Sequence, residues 1–199
     1  MNIAVFMDRD GTINEEVGYL RDPMGLNLLP GAVDAVKLIN KNQIKVVVIT
    51  NQSGVARGYF SEELVKRVHE RLKELLDKEG AYLDGIYYCP HHPDFGPPEY
   101  RIECNCRKPA PGMLELASKE LKIDLSNSYV VGDKIIDVGL AHRVGARGVL
   151  VLTGYGEEEV ESLNKGSKKQ PHYIARDILD AVNWILLDLH TRKQQQRKC

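Results

Sequence analysis

The sequence lacks any apolar run that approaches the roughly 20 residues a helix needs to cross a bilayer. It also lacks an excess of charge of either sign, because 27 Lys and Arg residues are balanced by 28 Asp and Glu residues, for a formal net charge of −1. Such a chain presents no general basic field to nucleic acid or to an anionic membrane. Its first two residues, Met1 and Asn2, lead directly into an apolar segment and do not form the charged start of a secretory signal. We therefore expect a cytoplasmic protein that binds neither nucleic acid nor a membrane, and we expect a monomer.

The hydrophobic pattern predicts a single α/β domain over residues 1–190. Apolar segments of strand length alternate with helical patterns, which favours a mostly parallel sheet flanked by helices. Among the helices, one is expected to begin after Ser61, one at Pro111 and one at Asp177. A basic polar tail, 191–199, is expected to be disordered, with Cys199 as a free thiol. The predicted strands cover 3–7, 46–50, 85–88, 129–131, 148–152 and 173–174.

The first predicted strand ends in two carboxylates, Asp8 and Asp10, followed by Gly11. Ligands of open parallel sheets bind at the carboxyl ends of the strands, so chemistry is expected here. Two acids that close repel each other unless a cation neutralises them or one of them holds a proton. Either arrangement suits phosphoryl transfer, in which one Asp attacks phosphorus and the other moves a proton.

Three further motifs can complete such a site. The second strand ends in Thr50 and the polar residues after it, whose hydroxyl and amide groups can hold phosphate oxygens. A later strand ends in Asp133, which together with Asp8 would supply the oxygen ligands that Mg²⁺ prefers. Between these motifs lies the basic pair Arg107-Lys108, and a lysine near a phosphoaspartate can stabilise charge in the transition state.

Together these four motifs resemble those of the haloacid dehalogenase superfamily, in the same order and over nearly the whole chain. The resemblance implies a Rossmann-like core, here with no large cap domain, and an aspartyl-phosphate intermediate. It makes Asp8 the nucleophile, Asp10 the acid/base, and Thr50 and Lys108 further catalytic residues. It also implies a Mg²⁺ ion bound by Asp8, by the Asp10 main-chain carbonyl and by Asp133.

A second constellation lies in the long loop 89–106. Cys89 and His91 form one pair of residues two apart, and Cys104 and Cys106 form another. Three thiolates and one imidazole satisfy tetrahedral Zn²⁺ in a closed structural site, which would order a loop that has no helix or strand of its own. His92 is a competing ligand, but His91 completes the symmetry of the two pairs.

This loop makes the chain similar to the heptose bisphosphate phosphatases of that superfamily, which act without a large cap. The resemblance implies removal of the 7-phosphate of a heptose 1,7-bisphosphate during the synthesis of nucleotide-activated heptose, for lipopolysaccharide core or S-layer glycan. The phosphatase domain of histidinol-phosphate phosphatase, from histidine biosynthesis, shares the same features and is the alternative. The substrate-binding residues implied by the resemblance are Glu16, Val17, Gly18, Tyr19, Asn51, Gln52, Ser53, Arg107 and Lys134.

Two other classes of protein compete with a phosphatase. A phosphorelay receiver also uses an aspartate, a threonine and a lysine, but its phosphoaspartate must persist, whereas Asp10 is placed to hasten hydrolysis. A zinc-dependent nucleic-acid module is disfavoured by the near-neutral charge, because no clear basic patch lies outside the tail.

Overall fold

A computed structural model describes residues 1–163 and 170–196 and contains a six-stranded sheet in which every pairing is parallel. The strand order is β3-β2-β1-β4-β5-β6, so the first strand lies near the centre. The predicted fold class is confirmed, and the observed strands differ from the predicted ones by at most one residue at each end. They are β1 (Ala4–Met7), β2 (Lys45–Asn51), β3 (Gly85–Cys89), β4 (Tyr129–Gly132), β5 (Arg147–Val151) and β6 (Tyr173–Ala175).

Six α-helices in the described part of the chain cover the two faces of the sheet. Successive strand residues point to opposite faces, so Val5 and Met7 pack against one layer while Ala4 and Phe6 pack against the other. Helices α1, α2 and α6 lie on the first face, and α3 and α4 contribute to the second. The helices are α1 (Ala32–Lys41), α2 (Glu62–Lys78), α3 (Gly112–Leu121), α4 (Ile135–Arg143), α5 (Gly156–Leu163) and α6 (Ile178–Gln196).

The predicted helix starts agree closely with the structure. The Ser61 hydroxyl accepts a hydrogen bond from the Leu64 amide and caps α2. The Asp177 carboxylate accepts from the Asp180 amide at 2.8 Å at the start of α6. Pro111 lies immediately before α3.

The carboxyl ends of the central strands carry the predicted functional residues to one edge of the sheet. In the segment between β1 and α1, the regular structure is a short 3₁₀ turn at Pro23–Gly25, so a loop and not a folded cap covers this edge. A longer loop follows β3 and contains the cysteine motifs. None of the helices in the described ranges is long and apolar enough to cross a membrane.

The C-terminal helix is longer than the sequence analysis expected. Helix α6 continues to Gln196, so residues 191–196 are helical and not a disordered tail. These residues are mostly Lys, Arg and Gln, which favour helix, and the Arg192 guanidinium donates to Asn127 Oδ1 at 3.1 Å, anchoring the last turns to the domain. Cys199 lies outside the described residues.

Candidate active site

Asp8 lies at the carboxyl end of β1 and forms an ion pair with a buried lysine. Its backbone amide donates to the Val131 carbonyl at 2.9 Å, which holds the carboxylate between β1 and β4. Asp8 Oδ1 lies 2.9 Å from Lys108 Nζ and accepts from the Arg9 amide at 2.7 Å. Because neither contact uses Oδ2, that oxygen is available to a substrate or a metal ion.

Lys108 is held from three sides, although it belongs to a loop. Its ammonium is 2.7 Å from Asp137 Oδ1 and donates to the Ile49 carbonyl at 3.2 Å, in addition to its contact with Asp8. Burial alone would lower the pKa of Lys108, but the carboxylates of Asp137 and Asp8 outweigh it and raise that pKa above its ordinary value. The lysine is therefore a fixed positive charge beside Asp8.

Asp133, at the end of β4, forms with Asp8 and Asp137 a cluster of buried carboxylates whose oxygens lie within 4.8 Å of one another. Its Oδ2 accepts from the Tyr155 amide at 3.0 Å, while Oδ1 is buried without a hydrogen-bond partner. Burial, and then the charge of Asp8, raise the pKa of Asp133 to about 7. The carboxylate set fits a hard cation, which would satisfy the unpartnered oxygen and relieve the repulsion.

The Asp10 carboxylate is more heavily hydrogen-bonded than Asp8. Oδ1 accepts from Arg9 and from the Asn14 amide at 3.0 Å, and Oδ2 accepts from Arg9 at 2.8 Å and from the Gln52 amide at 2.9 Å. Burial raises the pKa of Asp10, but the Arg9 charge and the hydrogen bonds from Asn14, Arg9 and Gln52 lower it more, so the net pKa lies below its ordinary value. These contacts favour the ionised form of Asp10 and fix the orientation of its carboxylate.

The cation beside Asp10 is almost completely buried, since Arg9 is 2% exposed. Nearby on α2, burial and the Arg9 charge lower the pKa of His69 to about 3. The imidazole is therefore neutral at physiological pH and adds no second positive charge next to Arg9.

The end of β2 serves both the site and the loop that carries the lysine. Asn51 Oδ1 accepts from the Lys108 amide at 3.0 Å, and its side-chain amide donates to the Lys108 carbonyl at 3.2 Å. Gln52 donates to Thr50 Oγ1 at 2.9 Å as well as to Asp10. The side-chain amides of Asn51 and Gln52 thus connect the end of β2 to Lys108 and to Asp10.

A cavity of about 220 Å³ opens at this edge of the sheet. Three of its wall residues, Leu20, Ile136 and Tyr155, were not identified from the sequence. The Lys134 ammonium lies 4.2 Å from the centre of the Tyr155 ring and 3.7 Å from Glu16 Oε2, so these three side chains form one wall. The predicted residues that line the cavity are Asp8, Asp10, Glu16, Gly18, Tyr19, Thr50, Asn51, Gln52, Ser53, Lys108 and Lys134.

Apart from the four predicted zinc ligands, three predicted site residues do not line this cavity. Val17 belongs to the predicted substrate loop but is 51% exposed. Arg107 lies beside the cysteine loop, where it donates to the His91 carbonyl at 3.0 Å. Asp133 is fully buried and is not one of the residues that line the cavity.

The loop after β3 brings together Cys89, His91, Cys104 and Cys106. Contacts between their sulfur and Nδ1 atoms range from 3.2 to 3.7 Å. A tetrahedral ion about 2.3 Å from each sulfur needs donors at separations of this size, so the four residues fit zinc. The competing His92 accepts from the Asp94 amide at 3.1 Å and lies 3.4 Å from Arg57, outside the cluster.

A parallel sheet whose strand ends hold an aspartate pair, a third carboxylate and a buried lysine is the arrangement of a phosphoryl-transfer hydrolase of the haloacid dehalogenase type. Residues 105–181 match the HAD-hydrolase-like family. The D-glycero-D-manno-heptose-1,7-bisphosphate 7-phosphatase of Thermosynechococcus vestitus is 42% identical over 196 residues, covering 95% of this chain and 98% of the relative. The D-glycero-beta-D-manno-heptose-1,7-bisphosphate 7-phosphatase of Pasteurella multocida is 43% identical over 188 residues, covering 93% and 97%.

Among solved structures, the D,D-heptose 1,7-bisphosphate phosphatase of B. bronchiseptica, crystallised with magnesium and phosphate, superposes with a TM-score of 0.82. It is 30% identical, and the match covers 94% of this chain and 99% of that one. The chain therefore belongs to the haloacid dehalogenase-like phosphatases and, within them, to the family of the heptose-1,7-bisphosphate 7-phosphatases.

Proposed function

We propose that the protein is a Mg²⁺-dependent phosphatase that removes the 7-phosphate of D-glycero-D-manno-heptose 1,7-bisphosphate. The observation that carries this proposal is the Asp8–Lys108 ion pair at the end of β1, which faces a cavity that Asp10 also lines. The names of the relatives supply the substrate. The same names disfavour histidinol phosphate, the alternative considered from the sequence.

The residues suggest a two-step reaction. Asp8 Oδ2 attacks the phosphorus of the 7-phosphate, and Asp10 supplies a proton to the departing sugar oxygen. Asp10 then accepts a proton from the water that hydrolyses the aspartyl-phosphate. Throughout, Lys108 opposes the negative charge of the transferring group, and the Thr50 hydroxyl and nearby amides donate to its oxygens.

The carboxylate cluster is the proposed magnesium site. Asp8, Asp133 and the Asp10 main-chain carbonyl would hold the ion, while the Asp137 carboxylate is already paired with Lys108. When bound, the ion would neutralise the phosphate charge. The unpartnered oxygen of Asp133 and the raised pKa of that carboxyl support a cation there.

Substrate recognition is assigned to the loops that surround the cavity. Residues 16–19 and 50–53 would contact the sugar and the reacting phosphate, and Lys134 would contact phosphate oxygens. Arg107 would bind the second phosphate, because its planar guanidinium can bond two phosphate oxygens at once. Its hydrogen bond to the His91 carbonyl, in the loop that contains the cysteines, supports a role outside the reacting carboxylate cluster.

The Cys89, His91, Cys104 and Cys106 cluster is proposed to bind structural Zn²⁺. Four protein donors leave no open position for water, so no chemistry is assigned to this ion. The same proposal places the protein in the cytoplasm as a monomer, in the synthesis of nucleotide-activated heptose.

A phosphate-release assay tests the proposed function directly. The purified protein is given heptose 1,7-bisphosphate, heptose monophosphates and histidinol phosphate, each with and without Mg²⁺. We expect the bisphosphate to give the highest kcat/KM, with loss of the 7-phosphate and dependence on Mg²⁺. A higher kcat/KM for histidinol phosphate would refute the heptose assignment, and no phosphate release from any ester would refute the phosphatase.

A further inference from the structure

Arg9 stands between the two aspartates of the first motif, yet none of the steps proposed above uses its side chain. Arg9 borders the cavity, but the residue is only 2% exposed. Its Nε and Nη2 atoms reach Asp10 Oδ1 at 3.2 and 2.9 Å, and Nη2 also reaches Oδ2 at 2.8 Å. Within the described residues, Asp10 is the one carboxylate that is paired with Arg9.

Burying a guanidinium costs free energy unless the charge is paired, and here the Asp10 carboxylate provides the pairing. Its planar fork fixes the plane of the carboxylate that it binds, which a single amide donor does not do. Asn14 and Gln52 add one hydrogen bond each from other directions. Together the three side chains leave the Asp10 carboxylate little freedom to rotate towards Asp8 or Lys108.

We propose that Arg9 is a positioning residue, which holds Asp10 in the orientation needed to protonate the leaving sugar oxygen. This inference rests on the proposed phosphatase function. In the step concerned, the Asp8–phosphorus bond forms as the phosphorus–sugar oxygen bond breaks, and the electron pair of the broken bond stays on the sugar oxygen. Asp10 takes up one proton from the hydrolytic water in each turnover. It gives that proton to the sugar oxygen, which completes the alcohol, and Asp10 becomes a carboxylate paired with Arg9.

The dependence on the leaving group separates this role from a general structural one. An alkyl alcohol, as in a sugar phosphate, is a poor leaving group and needs the proton, whereas p-nitrophenolate leaves without it. The variants are Arg9→Met, which removes the charge, and Arg9→Lys, which keeps the charge but not the fork. The quantity to compare is kcat/KM, because it covers only the steps through phosphoenzyme formation, whereas kcat also includes the hydrolysis that both esters share. We expect Arg9→Met to lower kcat/KM for heptose 1,7-bisphosphate by about 10²-fold or more, in the range of general acid–base effects, and kcat/KM for p-nitrophenyl phosphate by less than about tenfold. Arg9→Lys should also lower activity more for the sugar phosphate than for p-nitrophenyl phosphate, but the difference between the two losses should be smaller.

A double-variant cycle provides a second readout. If Arg9 acts through Asp10, adding Arg9→Met to Asp10→Asn should lower the residual activity little further, because the group that Arg9 positions is already absent. Arg147→Met is the matched control. Arg147 is also paired with a carboxylate, Asp188 at 3.2 Å, but it lies at the start of β5, remote from the cavity, and it should lower activity towards both esters equally or not at all.

Equal losses for the two esters in Arg9→Met, or additive losses in the double variant, would overturn the inference. If Arg9→Met does not fold, the Arg9→Lys comparison decides, and an equal loss for both esters there has the same meaning. Failure of the phosphatase proposal looks different, because the wild-type protein would then release no phosphate from the sugar ester.

Discussion

Asp133 is confined by two glycines, and one of them offers a sharp test of the proposed magnesium site. Gly11 and Gly154 both lie against the Asp133 carboxylate, at φ values of +78° and +58°. A Cβ on Gly154 would overlap Asp133 Oδ2 and would lie 2.7 Å from Gly11 Cα. The substitution Gly154→Ala should therefore displace the carboxylate that we assign to the metal.

The chain offers a matched control for the backbone cost alone. Gly58 has a φ of +71°, and a Cβ there would meet nothing within 4 Å. Both alanine variants carry the left-handed penalty of about 1–2 kcal/mol. Only Gly154→Ala adds crowding, which costs a further ~1–3 kcal/mol in a packed interior. In a domain of this size 1 kcal/mol corresponds to roughly 2–4 °C in Tm, so Gly154→Ala should melt measurably below Gly58→Ala.

The decisive measurement is the Mg²⁺ concentration that gives half-maximal phosphate release. We expect Gly58→Ala to match the wild type and Gly154→Ala to need at least about tenfold more Mg²⁺, since about 1.4 kcal/mol of lost binding is tenfold in affinity. Thermal unfolding with and without Mg²⁺ should show the same contrast. If the two variants have the same Mg²⁺ dependence, Asp133 does not bind the ion in the way we propose.

Four further outcomes are expected. Asp8→Asn should abolish turnover with an unchanged circular dichroism spectrum, because an amide cannot form the phosphoenzyme; more than trace activity would argue against Asp8 as nucleophile. The pKa of the Asp133 carboxyl is about 7 in the folded protein, against 3.8 for an ordinary aspartate. Between about pH 4 and pH 7 the unfolded chain has therefore lost a proton that the folded, metal-free protein still holds, so the free energy of unfolding should fall as the pH rises through this range. Melting curves of Asp133→Asn should lack that part of the pH dependence, and identical curves would contradict the assignment. Cys104→Ser should release zinc, measured by elemental analysis, and should lower Tm; retention of about one zinc per chain would exclude Cys104 as a ligand. Arg107→Ala should narrow the preference for the bisphosphate over monophosphates in kcat/KM while leaving hydrolysis of a small generic phosphate ester largely intact, and an unchanged preference would remove Arg107 from recognition.

Much of the fold could be predicted because its signals are local. Buried strands such as β2 are continuous apolar runs, and Ser61 begins a helix by a bond to an amide three residues later. The strand ends also predict where the carboxylates meet, since parallel strands place their carboxyl ends at one edge. The end of α6 escaped prediction because its polar last turns have no apolar stripe, and a contact from Arg192 to Asn127 holds them.

The side-chain pairings inside the site could not be read from the sequence. Asn51 bonds both backbone groups of Lys108, a partner 57 residues away, and the Tyr155 amide bonds Asp133 across a separate loop. Such pairs depend on the path of loops, which has no periodic signal. The Arg9–Asp10 pair is adjacent in sequence, but neighbouring side chains of a strand end normally point apart, so no pattern indicated the contact.

The contacts of the cysteine cluster help to fix the position of the buried lysine. Cys106 is two residues before Lys108, and Arg107 between them is tied back to the cluster by its bond to the His91 carbonyl. On its other side Lys108 is bound by Asn51 at the end of β2, and β2 pairs with β3, the strand that carries Cys89. The loop that delivers the lysine thus has two anchors, and one of them is the proposed zinc site. Loss of that site should therefore reduce kcat as well as Tm, because the ammonium would no longer be held against Asp8.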